Sequence, residues 1–147
     1  MLTKASIIEA AAEVADEGGV TAVTMRNVAK QLGVEAMSLY YHLKNKEDLL
    51  DGLSEWIFDQ IQLPNLEQPW REAMIMRAQS ARTVLLAHPW SLGMLESRPR
   101  PGKSLLRHHD LVLGCLMASG MSPRLAGHAF SALDSYVFGF VLTEVST

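Results

Sequence analysis

The residues from Thr24 to Lys46, TMRNVAKQLGVEAMSLYYHLKNK, constrain this chain more than any other stretch. Met25 to Leu32 carries Val28 and Leu32 four apart with Ala29 beside them, the spacing that gives a short helix one apolar face. Thr24 stands where its hydroxyl can cap that helix, and Gly33 follows where the chain must take positive φ to leave the last turn. Val34 is placed to plug the bend. A second short helix is expected next, with Glu35, Ala36, Met37 and Ser38 as its first turn and Leu39 and Leu43 again four apart. That leaves Ser38, Tyr40, Tyr41 and His42 on its outer faces. Two short helices joined by a glycine turn, the second turned outward, make a helix-turn-helix.

Charge points the same way. Arg26, Lys30, Lys44 and Lys46 against Glu35 give this stretch a net charge of +3, while the whole chain is at −3. Four cations alone would fit a solvated helical face. Beside the turn glycine and the paired helices, they fit a surface laid against phosphates, with short donors and aromatic hydroxyls to fix register.

The run from Leu2 to Ile61, and most closely Val23 to Leu53, resembles the N-terminal DNA-binding domain of the TetR (tetracycline-repressor) family of bacterial transcriptional regulators. The likeness rests on Thr24, Arg26, Ala29, Leu32, Gly33, Val34, the Leu39-Tyr40-Tyr41-His42 run, and Lys44-Asn45-Lys46 leading to Leu49 and Leu50. It implies an all-helical homodimer that binds a palindromic operator and is released by a small molecule. Arg26 would then reach a base edge, with guanine the natural partner of its fork. Ala36, Met37 and Ser38 would open the recognition helix facing bases, and Thr24, Tyr40, Tyr41, His42 and Lys46 would complete the contact. Some tetracycline-type members have a polar residue where Ala36 stands, so base reading here is expected to lean on thymine methyls.

Elsewhere the chain reads as further helices. Thr3 to about Glu17 buries Ile7, Ile8, Ala11, Val14 and Ala15 and stops at Gly18-Gly19. Asn45 caps a helix through Leu49, Leu50, Leu53, Trp56, Ile57 and Ile61, with Asp48 completing a capping-box-like pair. Leu63 to Pro69 is a linker, and Trp70 to Ala87 a long helix ended by His88-Pro89. A short helix at Trp90 to Glu96 is followed by Ser97 to Lys103, a proline-rich turn rather than a second nucleic-acid contact. Ser104 to Ser119 reads as a helix enclosed on several sides, and Ser122-Pro123 starts a last helix with Phe130, Leu133, Val137, Phe140 and Val141 along it.

The second half resembles the ligand-binding domain of the tetracycline-type branch, through the Arg98-Pro99 turn, the Gly120 stop and the final run ALDSYVFGFVLTE. The expected organisation is therefore all-α: a three-helix helix-turn-helix domain (1–46), a connecting helix (47–63) and a C-terminal helical ligand-binding and dimerisation domain (64–147). The resemblance places a small-molecule pocket among Met74, Arg77, Ala81, Met94, Leu106, Asp110, Leu113, Met117, Leu133 and Val137. Eight methionines suit a pliable interior and an apolar effector. Tetracycline-binding members have a magnesium-holding histidine just ahead of the Arg-Pro turn. Met94 lies near that place here, so neither magnesium nor tetracycline is expected. Members generally continue into at least one more helix that pairs with the last one in a dimer bundle. The chain is accordingly expected to lack that partner, with dimerisation through its own C-terminal helix.

Composition narrows the alternatives. At 147 residues, 48% of them hydrophobic, the chain has ample material for one or two small cores. The single cysteine, Cys115, cannot form an internal disulfide, and its run LVLGCLMAS fits a buried thiol in a reducing cytoplasm. No signal peptide is evident, and no apolar run is read as nearing the ~18 residues that cross a bilayer, so no membrane is expected. His88, His108, His109 and His128 lack the paired spacing of a zinc site. His108, His109 and Asp110 could form an acid–base group, but no G-x-S-x-G or glycine-rich phosphate loop accompanies them. No cofactor, metal or enzymatic activity is expected. The competing class is a small-molecule carrier or enzyme that has kept this fold.

Overall fold

Short polar side chains fix where the helices begin. Thr3, Thr24, Asn45 and Ser122 each accept the backbone N–H three residues on, from Ser6, Asn27, Asp48 and Leu125, at 2.9 to 3.2 Å. Each such cap is worth about 1 kcal/mol. The computed structural model describes all 147 residues. They form α1 (Lys4–Gly18), α2 (Met25–Leu32), α3 (Ala36–Leu39), α4 (Lys46–Gln60), α5 (Trp70–Ala87), α6 (Ser91–Glu96), α7 (Lys103–Ala118) and α8 (Pro123–Ser146). A 3₁₀ turn spans Val20–Ala22, and there is no strand.

The N-terminal core is built on α1. Ile7, Ile8, Ala11, Val14 and Ala15 are buried as expected, and Ala10 and Ala12 join them. Against them pack Val23, Val28, Ala29, Leu39, Leu43 and the first half of α4, Leu49, Leu50 and Leu53. Gly52 lets α1 cross α4 closely: a Cβ there would stand 2.3 Å from Cδ1 of Ile8.

The second half of α4 belongs to other cores. Ile57 packs with Leu85, Leu92 and Val141, while Phe58 and Ile61 pack with Ala81. α4 is thus shared rather than free, its two ends buried in different parts of the molecule. A third cluster, Ala73, Met74, Val112, Cys115, Leu116, Ala126 and Phe130, joins α5, α7 and α8. Burial raises the Cys115 thiol above its ordinary pKa.

Three expectations are corrected here. α7 buries one face only, through His108, Val112, Cys115 and Leu116, and leaves Leu106 and Met117 exposed. Along α8, Phe130 and Val141 are buried but Leu133 and Phe140 are not. α8 also is long and apolar enough to cross a bilayer by length and composition, with a mean hydropathy of 1.3 over an 18-residue window. Ser, Thr and Gly spaced among its apolar residues hide that property from a search for an unbroken apolar run.

Candidate nucleic-acid interface

The turn between α2 and α3 aims the next helix outward. Gly33 has φ +70°, a left-handed conformation that other residues adopt at a cost. Its N–H donates to Lys30 at 3.1 Å and that of Val34 to Ala29 at 3.0 Å, closing the end of α2. Val34 packs against the N-terminal core, as a plug for the bend should. With Leu39 and Leu43 buried, the register of the next eight residues is set.

α3 is a single helical turn, extended by tighter turns. The N–H of Tyr40 donates to Met37 and that of His42 to Leu39, both three residues back. This presents Met37 (71% exposed) and Tyr41 (85%) to solvent, with Tyr40, His42 and, across the turn, Arg26 also exposed. Ser38 and Ala36 are half-buried, and Ala36 packs on the core. Thr24 is half-buried as well, and its oxygen is engaged in the α2 cap. Lys46 is exposed in the first turn of α4. The residues expected to meet bases and phosphates thus divide into an outer set, Arg26, Met37, Tyr40, Tyr41, His42 and Lys46, and an inner set that holds them.

The cap of α4 differs in detail from the expected box. Asp48 accepts from the N–H of Lys44 at 3.1 Å, one residue before the cap, and lies 3.6 Å from Nζ of Lys4. Lys4 is thereby drawn toward α4. Acids at Glu47, Asp51, Glu55 and Asp59, four apart, form a stripe along α4 that reaches the C-terminal body. Arg98 bridges Glu47 at 2.9 Å and Asp51 at 3.3 Å. Glu55 accepts the backbone N–H of Ser104 at 3.0 Å, capping α7 from outside, and the single hydroxyl proton of Ser104 is shared between Glu55 and Asp59. Gly102 makes room, since a Cβ there would lie 1.7 Å from Oε1 of Glu55.

The residues expected to line a pocket are dispersed. Met74, Arg77 and Ala81 are buried on α5, and Leu113 and Val137 are half-buried. Leu106, Asp110, Met117 and Leu133 face solvent, because α7 and α8 each bury a single face. Met94 stands apart from the others: α6 lies against α4, and its Met94 is part of the N-terminal core. Val137 lines a groove of about 200 Å³ with Arg82, Tyr136 and Phe140 between α5 and α8.

Sequence reasoning missed the polar centre of the C-terminal body. Arg77, 6% exposed, donates from Nη1 to Asp134 at 2.8 Å and from Nε to Nδ1 of His108 at 3.3 Å. Its guanidinium lies 5.4 Å from the centre of the Phe130 ring. Nε2 of His108 donates to the Phe58 carbonyl of α4 at 2.9 Å. The partners dictate the tautomer: a carbonyl only accepts and a guanidinium only donates, so the proton sits on Nε2. Burial pushes the His108 pKa below 6.5; the Phe58 bond opposes this and the Arg77 charge adds to it. On the surface, Arg82 and Glu144 form a two-pronged pair at 2.9 and 2.7 Å that raises the arginine pKa and lowers that of the carboxyl.

Comparison with known proteins covers the same two parts. Residues 7–53 match the family model of bacterial regulatory proteins of the tetR family, and residues 63–147 that of the tetracyclin repressor-like C-terminal domain. An HTH-type transcriptional regulator of Saccharopolyspora erythraea is 35% identical over 98% of this chain and 61% of its own length. The chain spans 54 to 65% of the first three curated relatives it matches. Among solved structures, Streptomyces coelicolor ActR in complex with (S)-DNPA superposes with a TM-score of 0.88 at 26% identity, over 99% of this chain and 72% of that one. BioQ bound to its double-stranded DNA operator superposes with a TM-score of 0.81 at 26% identity, over 99% and 89%.

Proposed function

Because the chain belongs to the tetR family of bacterial regulatory proteins, we propose that it is a ligand-responsive transcriptional repressor acting on a palindromic operator as a homodimer. The observation that supports this most is the outer set on α2, α3 and α4. Arg26, Met37, Tyr40, Tyr41, His42 and Lys46 are exposed together, on a frame fixed by a glycine turn and two buried leucines. In this reading Arg26 and Met37 meet base edges, with Ala36 and Ser38 behind them. Tyr40, Tyr41, His42 and Lys46 meet phosphates, and Thr24 holds the start of α2.

Residues 1–46 form the DNA-binding domain, 47–63 the connector and 64–147 the regulatory and dimerisation domain. The effector is an apolar small molecule held between α5, α7 and α8, beside Met74, Ala81, Leu113 and Val137. Its binding favours a conformer in which α4 carries the two recognition helices away from the spacing of successive major grooves, about 34 Å.

Selection of fragments of the source genome at roughly 0.1 M salt tests the reading, with salt fixed because phosphate-driven affinity depends on it. A shared palindrome is expected among the retained fragments. Arg26→Ala and Tyr40→Ala should abolish its binding, and loss in neither would sink the repressor reading in favour of a carrier or enzyme on this fold. Lys46→Ala should weaken binding to all duplexes alike and flatten the slope of log affinity against log salt by about 0.9 per chain bound.

A further inference from the structure

We propose that Asp16 is a positioning residue that fixes the setting of the DNA-binding domain against the C-terminal body. One oxygen of its carboxylate, Oδ1, accepts two hydrogen bonds from the C-terminal body. Nδ1–H of His88, at the end of α5, donates at 2.7 Å, and the indole N–H of Trp90, just before α6, donates at 2.7 Å. The donors are themselves held. The His88 ring meets Trp56 of α4 edge-on at 4.9 Å and Trp90 at 5.7 Å, so the two groups converge on Asp16 from a packed aromatic corner.

The rest of the attachment of α1 explains why this point matters. α1 crosses α4 where Ile8 meets Gly52, and Lys4 reaches Asp48, also on α4. Both contacts lie on α4, so they fix α1 against that helix and say nothing of its setting against the C-terminal body. Asp16 stands about 12 Å along α1 from Ile8, at 1.5 Å per residue, and is the only α1 side chain hydrogen-bonded to a residue beyond α4. Bonded there to residues outside α4, that end of α1 is set against the C-terminal body and not against α4 alone. Met94 and Trp90 also pack on the N-terminal core and hold the two parts together, and the two hydrogen bonds to one oxygen add a direction to that contact. α2 and α3 are packed on α1, so the setting of Asp16 is the setting of the groove-facing side chains.

The test needs neither operator nor effector, so its failure is separable from failure of the repressor reading. Spin labels are placed at Lys30→Cys on α2 and His128→Cys on α8, both exposed, with Cys115→Ala in the background. The labelled protein is diluted into unlabelled chain so that only distances within one chain are read. Trp90→Phe removes the indole N–H and keeps an aromatic ring, while Asp16→Ala removes the acceptor. In both, with helical content unchanged by circular dichroism, the distance distribution is expected to at least double in width. Distributions as narrow as the parent's in both folded variants would overturn the proposal.

Discussion

Removing Asp134 isolates what the polar centre of the C-terminal body contributes. Arg77 is buried and keeps its charge, so without Asp134 the guanidinium retains only His108 and the face of Phe130 as partners. At an effective dielectric near 20, unit charges about 4 Å apart attract by roughly 4 kcal/mol. Desolvation of the pair returns a share of that, and the Asp134 side chain is 22% exposed, which admits screening water. Asp134→Ala is therefore expected to cost about 2–3 kcal/mol, below the 3–5 kcal/mol seen where an ion is left wholly buried. With a urea slope of about 1.5 kcal/mol per molar, the unfolding midpoint by circular dichroism at pH 7 should fall by roughly 1.3–2 M. The second arm is decisive. In an Arg77→Met background no buried cation remains to be stranded, so adding Asp134→Ala should cost well under 1 kcal/mol, a coupling of about 2 kcal/mol across the cycle. Equal costs in the two backgrounds would refute the idea that Asp134 exists to neutralise Arg77.

Two further outcomes follow from neighbouring geometry. Because folding favours neutral His108, its contribution is complete above pH 6.5 and is lost as pH falls through the lowered folded value; His108→Gln, which keeps a donor to the Phe58 carbonyl, should lose less stability than the parent between pH 6.5 and 4.5, as read by urea titration. Gly102→Ala forces the Glu55 carboxylate away from Ser104, so thermal melting should show a loss of about 1 kcal/mol, as for a missing N-cap, and Glu55→Ala combined with it should add little.

The N-terminal half was legible because its signals are local. Thr24, Gly33, Asn45 and the leucine pairs act within one or two helical turns, and sequence spacing reports such features directly. The C-terminal body was legible as helices but not as an interior. Periodicity says that α7 has an apolar face; it does not say that Leu106 and Met117 fall outside the buried one. His108 and Asp134 are 31 and 57 residues from Arg77 along the chain, and no spacing rule links them. Met94 read as a pocket residue through the resemblance, which sets it near a ligand-holding histidine of other members, and no local signal shows that α6 packs against α4. One long-range signal was present and passed over: acids at Glu47, Asp51, Glu55 and Asp59 mark one face of a helix, and a stripe of like charge on one face calls for partners such as Arg98 and Ser104.

The division of labour along α4 bears on how easily the two halves could shift. Within each half the contacts are apolar and close-packed, and moving one side chain past another there opens cavities at several kcal/mol each. Between the halves, many of the directional contacts are polar and partly exposed: Asp16 with His88 and Trp90, Arg98 with Glu47 and Asp51, Glu55 with Ser104. Exposed ion pairs and their hydrogen bonds contribute about 0–1 kcal/mol apiece, because water replaces them readily. Released together they amount to a few kcal/mol, the same scale as the 1–3 kcal/mol by which one bound ligand commonly biases another. Apolar packing at these points, added to that of Met94 and Trp90 on the N-terminal core, would hold the halves more firmly still. Under the repressor reading, directional contacts that are polar at the joint keep the relative setting of two rigid parts within reach of a single binding event.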